Sequence, residues 1–433
     1  MNKTNKKDWM LAIAFVVLAA VLIHCASIIM RPVHNSYGST WDAYLCEPED
    51  SIDVLFLGSS YAYCDWNPEI MFAASGLTGY VMAGSEQTPS ITYWYLKQAL
   101  KTQSPQVVVM EGSSFFFEMY QNYTQINLDY MPRGIDRARA ILDAAEPDKR
   151  LGLFFDLYFY HDRWKELTRE DIAKLITPAS ADVNKGYTYV DNVYDTKGST
   201  PYHREPSKDT AAYEKHLEAF KKIAELCGDN GIDLIVTINP TFSQCSPEIY
   251  DKLEKDLTGI APEADFMLLA NSFDEIGLDI SRDLYDGGHL NFYGACKFSE
   301  WTGKMLLDKG YSPREQTKEN ATAWDDGAQY WQFEIAKAAA ELDQARSYVE
   351  HLTLLFMAGE SVNTQVSIAK YATSELAYKI SDLGVQIWGG PGILRENAIA
   401  RQFVDTRHYR LMAGTSEVQL GIIAKAIGLG KKK

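Results

Sequence analysis

Residues 52–60, IDVLFLGSS, decide the fold: a short apolar run stops abruptly at a glycine and two serines. Two further apolar runs follow at 107–110 and 232–238. Continuous apolar strands that alternate with helical patterns are typical of a parallel sheet buried on both faces. We therefore predict a three-layer α/β domain over 51–312. The predicted helices are about 90–103, 211–227 and 247–256, and a last strand is predicted near 265–270.

The N-terminus carries an uncharged apolar run over residues 9–30. At about 1.5 Å per residue it spans roughly 33 Å, enough to cross a bilayer core. Lys3, Lys6 and Lys7 precede it, which favours a cytoplasmic N-terminus and an extracytoplasmic remainder. A cleaved signal peptide is the alternative, but a small-residue cleavage site is lacking. We predict a single-pass protein of the cell membrane, with a cytoplasmic tip (1–8), a transmembrane anchor (9–30) that contacts the bilayer, and a connector (31–50).

Composition excludes some classes of function. The formal net charge is −16, whereas nucleic-acid binding needs clustered positive charge, so no nucleic-acid partner is expected. The 6 cysteines form no Cys-x-x-Cys pair, which argues against the usual zinc sites, and no metal is predicted. One or two disulfides among these cysteines are possible.

A candidate nucleophile stands where the first strand ends. Ser60 follows the strand directly, and Asp286 and His289 lie far downstream in the segment DGGHLN (286–291). A serine hydroxyl is a poor nucleophile until an imidazole accepts its proton, and a carboxylate fixes the tautomer of that imidazole. Aspartate and histidine three residues apart can supply both groups from one loop. We interpret Ser60 as nucleophile, His289 as base and Asp286 as the residue that orients it.

These segments resemble the SGNH (GDSL-like) hydrolase family over about 50–310. LGSS (57–60) is similar to its first block, and YDGGHLNFYG (285–294) is similar to its last. The resemblance implies the same catalytic roles, with Ser60 and Gly84 as oxyanion-hole residues and no cofactor. The third block normally carries an asparagine after a strand. Here MEGSS (110–114) stands in that place, which puts the oxyanion hole in question.

An N-terminal anchor together with a large insertion is similar to exported SGNH proteins of polymer modification. The resemblance implies an exported serine esterase or O-acyltransferase that acts on acyl esters of a cell-envelope glycan or similar polymer. A polytopic membrane O-acyltransferase is the expected partner. The alternative is a non-catalytic scaffold of a membrane acyltransferase complex, since the missing asparagine would weaken catalysis.

The C-terminal segment differs from the rest of the chain in composition and in predicted secondary structure. After a junction at 313–330, residues 331–430 are Ala-rich, with helices predicted at 331–355, 362–383 and 416–427. The motifs AKYATSE (369–375), VQIWGGPG (385–392) and AGTSEVQ (413–419) resemble the C-terminal helical domain of acyl-CoA dehydrogenases. That resemblance implies FAD as cofactor. The flavin-contact positions it implies are Gln386, Gly389, Gly390, Thr415, Ser416 and Glu417.

Two departures weigh against dehydrogenase activity of this segment. Many family members place the catalytic base where Ala413 stands, and alanine cannot accept a proton. Branched-chain members keep alanine there and carry the base on an earlier helix, for which this chain has no counterpart. The tail is therefore expected neither to retain FAD nor to act as a dehydrogenase. A gene fusion or an assembly artefact would explain why the two halves imply different compartments. A flavin-binding oxidoreductase acting on CH–CH groups remains the other alternative.

Overall fold

The computed structural model describes residues 3–32, 41–177, 179, 181–182, 184–190, 192–196, 202–203, 205–315, 318–388, 390–395 and 397–429. Most of the predicted connector, 33–40, lies outside these ranges. The chain forms two compact units, Met1–Glu315 and Gln316–Lys433.

The first unit contains all the described strands. They are β1 (Val54–Gly58), β2 (Gly79–Ala83), β3 (Val107–Glu111), β4 (Tyr202–His203), β5 (Asp233–Ile238), β6 (Ser243–Gln244) and β7 (Asp265–Leu268). Its helices are α1 (Lys3–Met30), α2 (Trp41–Tyr44), α3 (Ser60–Asp65), α4 (Pro68–Ser75), α5 (Pro89–Ala99), α6 (Thr124–Tyr130), α7 (Ile135–Ala144), α8 (Arg150–Phe154), α9 (Asp156–Tyr160), α10 (Arg169–Ala173), α11 (Thr210–Asp229), α12 (Pro247–Ile260), α13 (Phe273–Ile276) and α14 (Phe292–Asp308). Two 3₁₀ helices cover Ser113–Phe116 and His161–Lys165.

The second unit is helical throughout its described part. Its helices are α15 (Lys318–Met357), α16 (Asn363–Trp388), a 3₁₀ helix (Gly390–Ile393), α17 (Ala398–Tyr409) and α18 (Ser416–Ala426).

A five-stranded parallel sheet in the order β2-β1-β3-β5-β7 organises the first unit. Leu55 of β1 pairs with Tyr80 on one side and Val108 on the other, so β1 is interior. β1, β2 and β3 are buried along their whole length, as expected for strands covered on both faces. Parallel strands end at the same edge, so the carboxyl end of β1 lies in that edge between those of β2 and β3.

Two apolar clusters cover the two faces of this sheet. One joins alternate residues of the strands, such as Leu55 and Val108, to side chains of α5, α7, α11 and α12. The other joins the intervening strand residues, such as Phe56 and Val109, to side chains of α3, α4 and α14. The period-two alternation of a strand thus divides each apolar run between two layers of helices.

The structure confirms a mixed α/β unit with a parallel sheet and a helical C-terminal unit. The region 115–210, which the sequence left unassigned, contains α6–α10, two 3₁₀ helices and β4 in its described part. The prediction of three tail helices was incomplete, because α17 is a fourth. Its apolar face is narrow, with Ala400 and Thr406 buried and Ile399 and Phe403 half-buried. The six cysteines all lie in the described part of the chain and form no disulfide, so the one or two disulfides that the sequence left possible are absent.

Helix α1 is apolar and mostly exposed between Trp9 and Ile23. Residues Asp8–Met30 are long and apolar enough to cross a membrane, by length and composition. A signal sequence near the N-terminus meets the same criterion.

A buried ion pair fastens one loop to the edge of the sheet. Lys185 Nζ donates to both carboxylate oxygens of Glu47, at 2.9 and 3.1 Å. The amide of Val81 in β2 donates to the Lys185 carbonyl at 2.8 Å. Gly186 follows with φ +85°, and a Cβ there would lie 2.1 Å from the Val81 carbonyl oxygen. Only glycine fits this approach.

Glu69 of α4 is a partly buried carboxyl influenced by that ion pair. Burial raises its pKa to about 7, with Lys185 opposing the shift and the charges of Glu47 and Asp182 adding to it. A raised carboxyl pKa means that the folded state disfavours the charge. The contribution of Glu69 to the stability of the fold is therefore fully present below the ordinary pKa of 4.5, and it is lost as the pH rises towards about 7.

We expect Glu69→Gln to remove this loss. The side chain keeps part of its hydration, so the effect is moderate. The free energy of unfolding of the variant should exceed that of wild type by about 1–2 kcal/mol at pH 8 and equal it at pH 4. Urea unfolding of the full chain across this pH range measures the difference. Glu254→Gln on the exposed face of α12 is the matched control and should give no pH-dependent difference. If the free energy of unfolding of Glu69→Gln varies with pH as that of wild type does, the raised pKa of Glu69 is wrong.

Candidate functional site

The carboxyl end of β1 presents Ser60 to a loop from the far side of the unit. The Oγ of Ser60 lies 2.8 Å from Nε2 of His289. Nδ1 of the same ring lies 2.9 Å from both carboxylate oxygens of Asp286. Because a carboxylate accepts, Nδ1 carries the proton, and Nε2 is left to accept from the serine hydroxyl. The structure thus brings the three predicted residues together.

Glycines make the approach of these segments possible. Gly58 ends β1 with φ +146°, and a Cβ there would lie 2.9 Å from the Cβ of Glu111 on β3. Gly288 lies against Tyr61, where a Cβ would be 2.7 Å from the phenolic oxygen. The Tyr61 ring in turn stacks on the imidazole of His289, with centroids 4.6 Å apart. The stacking fixes the plane of the imidazole, and sequence reasoning had missed it.

Asp286 is held in its ionised form. Burial alone would raise its pKa, but the hydrogen bond and charge of His289, together with the amides of Gly288 and His289, lower the pKa below its ordinary value. Those amides donate to Oδ1 at 2.7 and 2.9 Å. The side chain therefore closes its own loop as well as orienting the imidazole.

A buried polar network behind the triad had no counterpart in the sequence analysis. Oδ1 of Asp65, at the end of α3, accepts from the amide of Leu290 at 2.9 Å. Its Oδ2 accepts from Nδ2 of Asn239 at 3.2 Å, and that amide group also donates to the Tyr61 carbonyl at 3.0 Å. Burial raises the pKa of Asp65 well above its usual range, although these hydrogen bonds oppose the shift. The network connects the segments that carry Ser60 and His289.

The predicted oxyanion residue Gly84 lies beside an asparagine that the sequence had not indicated. A Cβ at Gly84 would lie 2.3 Å from Oδ1 of Asn127, whose Nδ2 donates to the Ser85 carbonyl at 2.9 Å. Asn127 belongs to α6 in the unassigned region, so its position in the chain gave no signal. In the 110–114 segment, the Ser113 amide donates to Oε1 of Glu111 at 2.8 Å. The oxyanion roles of Ser60 and Gly84 stay predictions.

The predicted flavin-contact positions of the second unit fall in two places. Gln386 is exposed near the end of α16, and Gly390 begins the 3₁₀ helix that follows. Gly389 lies outside the described residues. Thr415 caps α18, its hydroxyl accepting from the Val418 amide, and Ser416 and Glu417 begin that helix.

A carboxylate fixes the turn that precedes α18. Ala413 and Gly414 have positive φ values of 51° and 88°. Oε1 of Glu375 on α16 accepts from the Ser416 hydroxyl at 2.9 Å and from Nε of Arg410 at 2.8 Å. Glu375 belongs to the segment that carried the resemblance, but its role in holding the turn was not predicted.

The turn before α18 presents backbone amides of the kind that bind part of a flavin cofactor. The first amides of α18, an eleven-residue helix, form a partly positive end suited to phosphate or carbonyl oxygens. The exposed Gln386 adds an amide that can hydrogen-bond a ring system. Ala413 offers no proton acceptor. Among the described residues, no group of three histidine, cysteine, aspartate or glutamate side chains could hold a metal ion.

Comparison with known proteins bears on the second unit. Residues 320–428 match the family model of the acyl-CoA dehydrogenase C-terminal domain. A 3-(aryl)acrylate reductase of Clostridium sporogenes is 34% identical over 93 residues, which are 22% of this chain and 25% of that protein. The short/branched chain specific acyl-CoA dehydrogenase of Bos taurus mitochondria is 33% identical over 96 residues, 22% of each chain. This chain thus spans about a quarter of the length of these relatives.

A solved acyl-CoA dehydrogenase from Geobacillus kaustophilus is 23% identical, covering 34% of this chain and 44% of its own, with a TM-score of 0.23. That score is too low to support a statement about the fold.

The predicted exported serine esterase or O-acyltransferase was wrong by these findings. The matching family and the two curated relatives above are acyl-CoA dehydrogenases and reductases, and they give no evidence for an SGNH hydrolase domain. The resemblance of the C-terminal segment to the acyl-CoA dehydrogenase C-terminal domain is confirmed.

Proposed function

We propose that the second unit provides one edge of an FAD site in an acyl-CoA dehydrogenase-like oxidoreductase acting on CH–CH groups. The observation that carries the proposal is the family match over 320–428, which falls on the helices α15–α18. When bound, FAD supplies the electron acceptor of such a reaction. The residues of this chain would hold it through Gln386, Gly390 and the first turn of α18.

The chain contributes binding rather than proton transfer at this edge. Thr415 and Ser416 keep the first turn of α18 in place through the cap and the Glu375 hydrogen bond. Glu417 is exposed beside them, and a hydrogen bond from its own backbone amide, with one from Thr415, lowers its pKa. Removal of a substrate proton falls to a group other than Ala413.

We expect the full chain to bind FAD, and Gln386→Ala to weaken that binding about tenfold, the cost of one good hydrogen bond. Equilibrium dialysis with FAD and the visible flavin absorbance of the retained fraction measure it. Asp382→Ala, an exposed position one turn earlier on α16, is the matched control and should bind as wild type does. Absence of binding at about 1 mM FAD would overturn the proposal.

We further propose that Ser60, His289 and Asp286 form a reactive-serine site. The distances of 2.8 and 2.9 Å that join the three side chains favour it. The site is proposed as a nucleophile only, with no substrate assigned to it.

We also propose that α1 is a membrane anchor. Its exposed apolar surface and the three lysines before it support this. The orientation with a cytoplasmic N-terminus stays a prediction.

A further inference from the structure

Exposed apolar side chains are concentrated in one segment of the first unit. Residues 150–176, here called the collar, comprise α8, α9, the 3₁₀ helix His161–Lys165 and α10. Eight large hydrophobic side chains are exposed there, as many as in all other described residues of 41–315 together. They are Leu151, Phe154, Phe155, Tyr158, Trp164, Ile172, Leu175 and Ile176. Such a concentration of exposed apolar side chains within one segment indicates an interaction site.

The collar surrounds the C-terminal end of α1. α9, α10 and the 3₁₀ helix between them all contact α1. Nη1 of Arg163 donates to the Met30 carbonyl at 2.9 Å, and Lys174 donates to the carbonyl of Arg31. Asp171 accepts from both cations, at 2.8 and 3.1 Å. Cations that satisfy the last carbonyls of a helix are favourable, so the collar is fixed to α1 through several bonds.

The same helix end is fixed to the body of the unit. A guanidinium nitrogen of Arg31 donates to the Asp129 carbonyl at 2.5 Å, and its Nε lies 3.4 Å from the Asp129 carboxylate. That carboxylate also accepts from Arg137 at 2.9 Å and from the Tyr160 hydroxyl at 2.7 Å. Because Tyr160 belongs to α9, Asp129 joins α1, the collar and α6. The collar therefore has a set distance from the end of α1.

We propose that the collar is inserted into the interfacial layer of the bilayer that α1 enters. The exposed apolar surface of α1 runs to Ile23, and Met30 and Arg31 are held by the collar. A helix that leaves a bilayer at this end brings the attached collar to the headgroup level. Trp164 and Tyr158 have the amphipathic rings that favour this depth.

Apolar burial rather than charge drives this docking. The collar carries five basic residues (Arg150, Arg163, Lys165, Arg169, Lys174) and five acidic ones (Asp156, Asp162, Glu166, Glu170, Asp171). Without a net charge it gains nothing from anionic lipid. The lipid partner is thus a zwitterionic surface such as phosphatidylcholine.

Depth-dependent quenching in phosphatidylcholine vesicles tests the proposal on the full chain. Cys25 and Cys46 are first replaced by serine, and a fluorophore is placed on Ile176→Cys, whose side chain is 86% exposed. Only protein that floats with the vesicles is measured. Lipids with a shallow doxyl group should quench this label about twofold or more, as expected for a surface inserted 5–10 Å. The quenching should not change with salt or anionic lipid.

Two further labels complete the design. Phe155→Cys, a second collar position, should be quenched like Ile176→Cys. Glu254→Cys on α12 is the control and should not be quenched. Equal fluorescence of all three labels with and without doxyl lipid overturns the proposal. So does protection of the collar labels that depends on protein concentration rather than on lipid, which would assign the surface to a second copy of the chain.

Discussion

Replacing Ser60 with alanine is expected to abolish labelling of the full chain by a fluorophosphonate probe. In wild type the serine oxygen forms the bond to phosphorus, fluoride leaves, and Nε2 of His289, at 2.8 Å, takes the hydroxyl proton. His289→Ala removes the proton acceptor, and Asp286→Asn removes the carboxylate that fixes the ring. Each should slow labelling about a hundredfold or more. The labelling rate, followed by gel fluorescence, measures the effect.

The neighbouring serine provides the control. Ser59 is fully buried, and Ser59→Ala should therefore be labelled at the wild-type rate. If Ser60→Ala is labelled as fast as wild type, the reactive-serine site is wrong. Labelling of Ser59→Ala and not of Ser60→Ala supports it.

Asp65→Ala is expected to destabilise the first unit by about 2–5 kcal/mol, because it leaves two buried donors without an acceptor. These are the amide of Leu290 and one N–H of the Asn239 side chain, whose other N–H still donates to the Tyr61 carbonyl. Hydrogen exchange of residues 60–66 and 285–291, read by mass spectrometry on the full chain, should increase. Labelling of Ser60 should slow at the same time, since the loop of His289 loses its support.

Two variants separate positioning from chemistry. Burial raises the pKa of the Asp65 carboxyl, so a neutral amide is tolerated at this position. Asp65→Asn also keeps one side-chain oxygen as an acceptor and should therefore lower stability less than Asp65→Ala. Asp286→Ala should slow labelling strongly and lower stability less than Asp65→Ala, because this side chain is partly exposed and water can replace its bonds to the Gly288 and His289 amides. Equal stability of Asp65→Ala and wild type would show that the network does not hold the site.

Four of the five strands of the sheet could be predicted because they contain apolar runs, whereas the edge strand β2 was missed. β1, β3 and β5 were located within a residue or two, since each is followed or preceded by glycine or polar residues that end the run. The extent of α15 was underestimated, because its first turns, from Lys318, are polar and lack the period of a buried face.

The three residues Ser60, His289 and Asp286 could be predicted from the sequence, but the residues that hold them in position could not. Asp286 and His289 are neighbours in sequence, and a serine after a strand is a local pattern. Asp65 and Asn239 are 174 positions apart, and Tyr61 meets His289 from another segment. Contacts of this kind form only when the chain folds, and the spacing of these residues in the sequence does not predict them. The function was misassigned because the triad pattern outweighed the tail, where the comparisons find the matching family.

The absence of disulfides among the six cysteines makes the reactivity of the thiols a property of their surroundings. Burial raises the pKa of Cys64 well above its usual range and that of Cys227 to about 12. For the exposed Cys46, partial burial and the charges of Asp42 and Glu47 also raise the pKa. Since the thiolate is the form that reacts with oxidants and disulfides, all three thiols are slow to oxidise. The native structure therefore forms without a disulfide, and these three thiols favour the protonated, unreactive form.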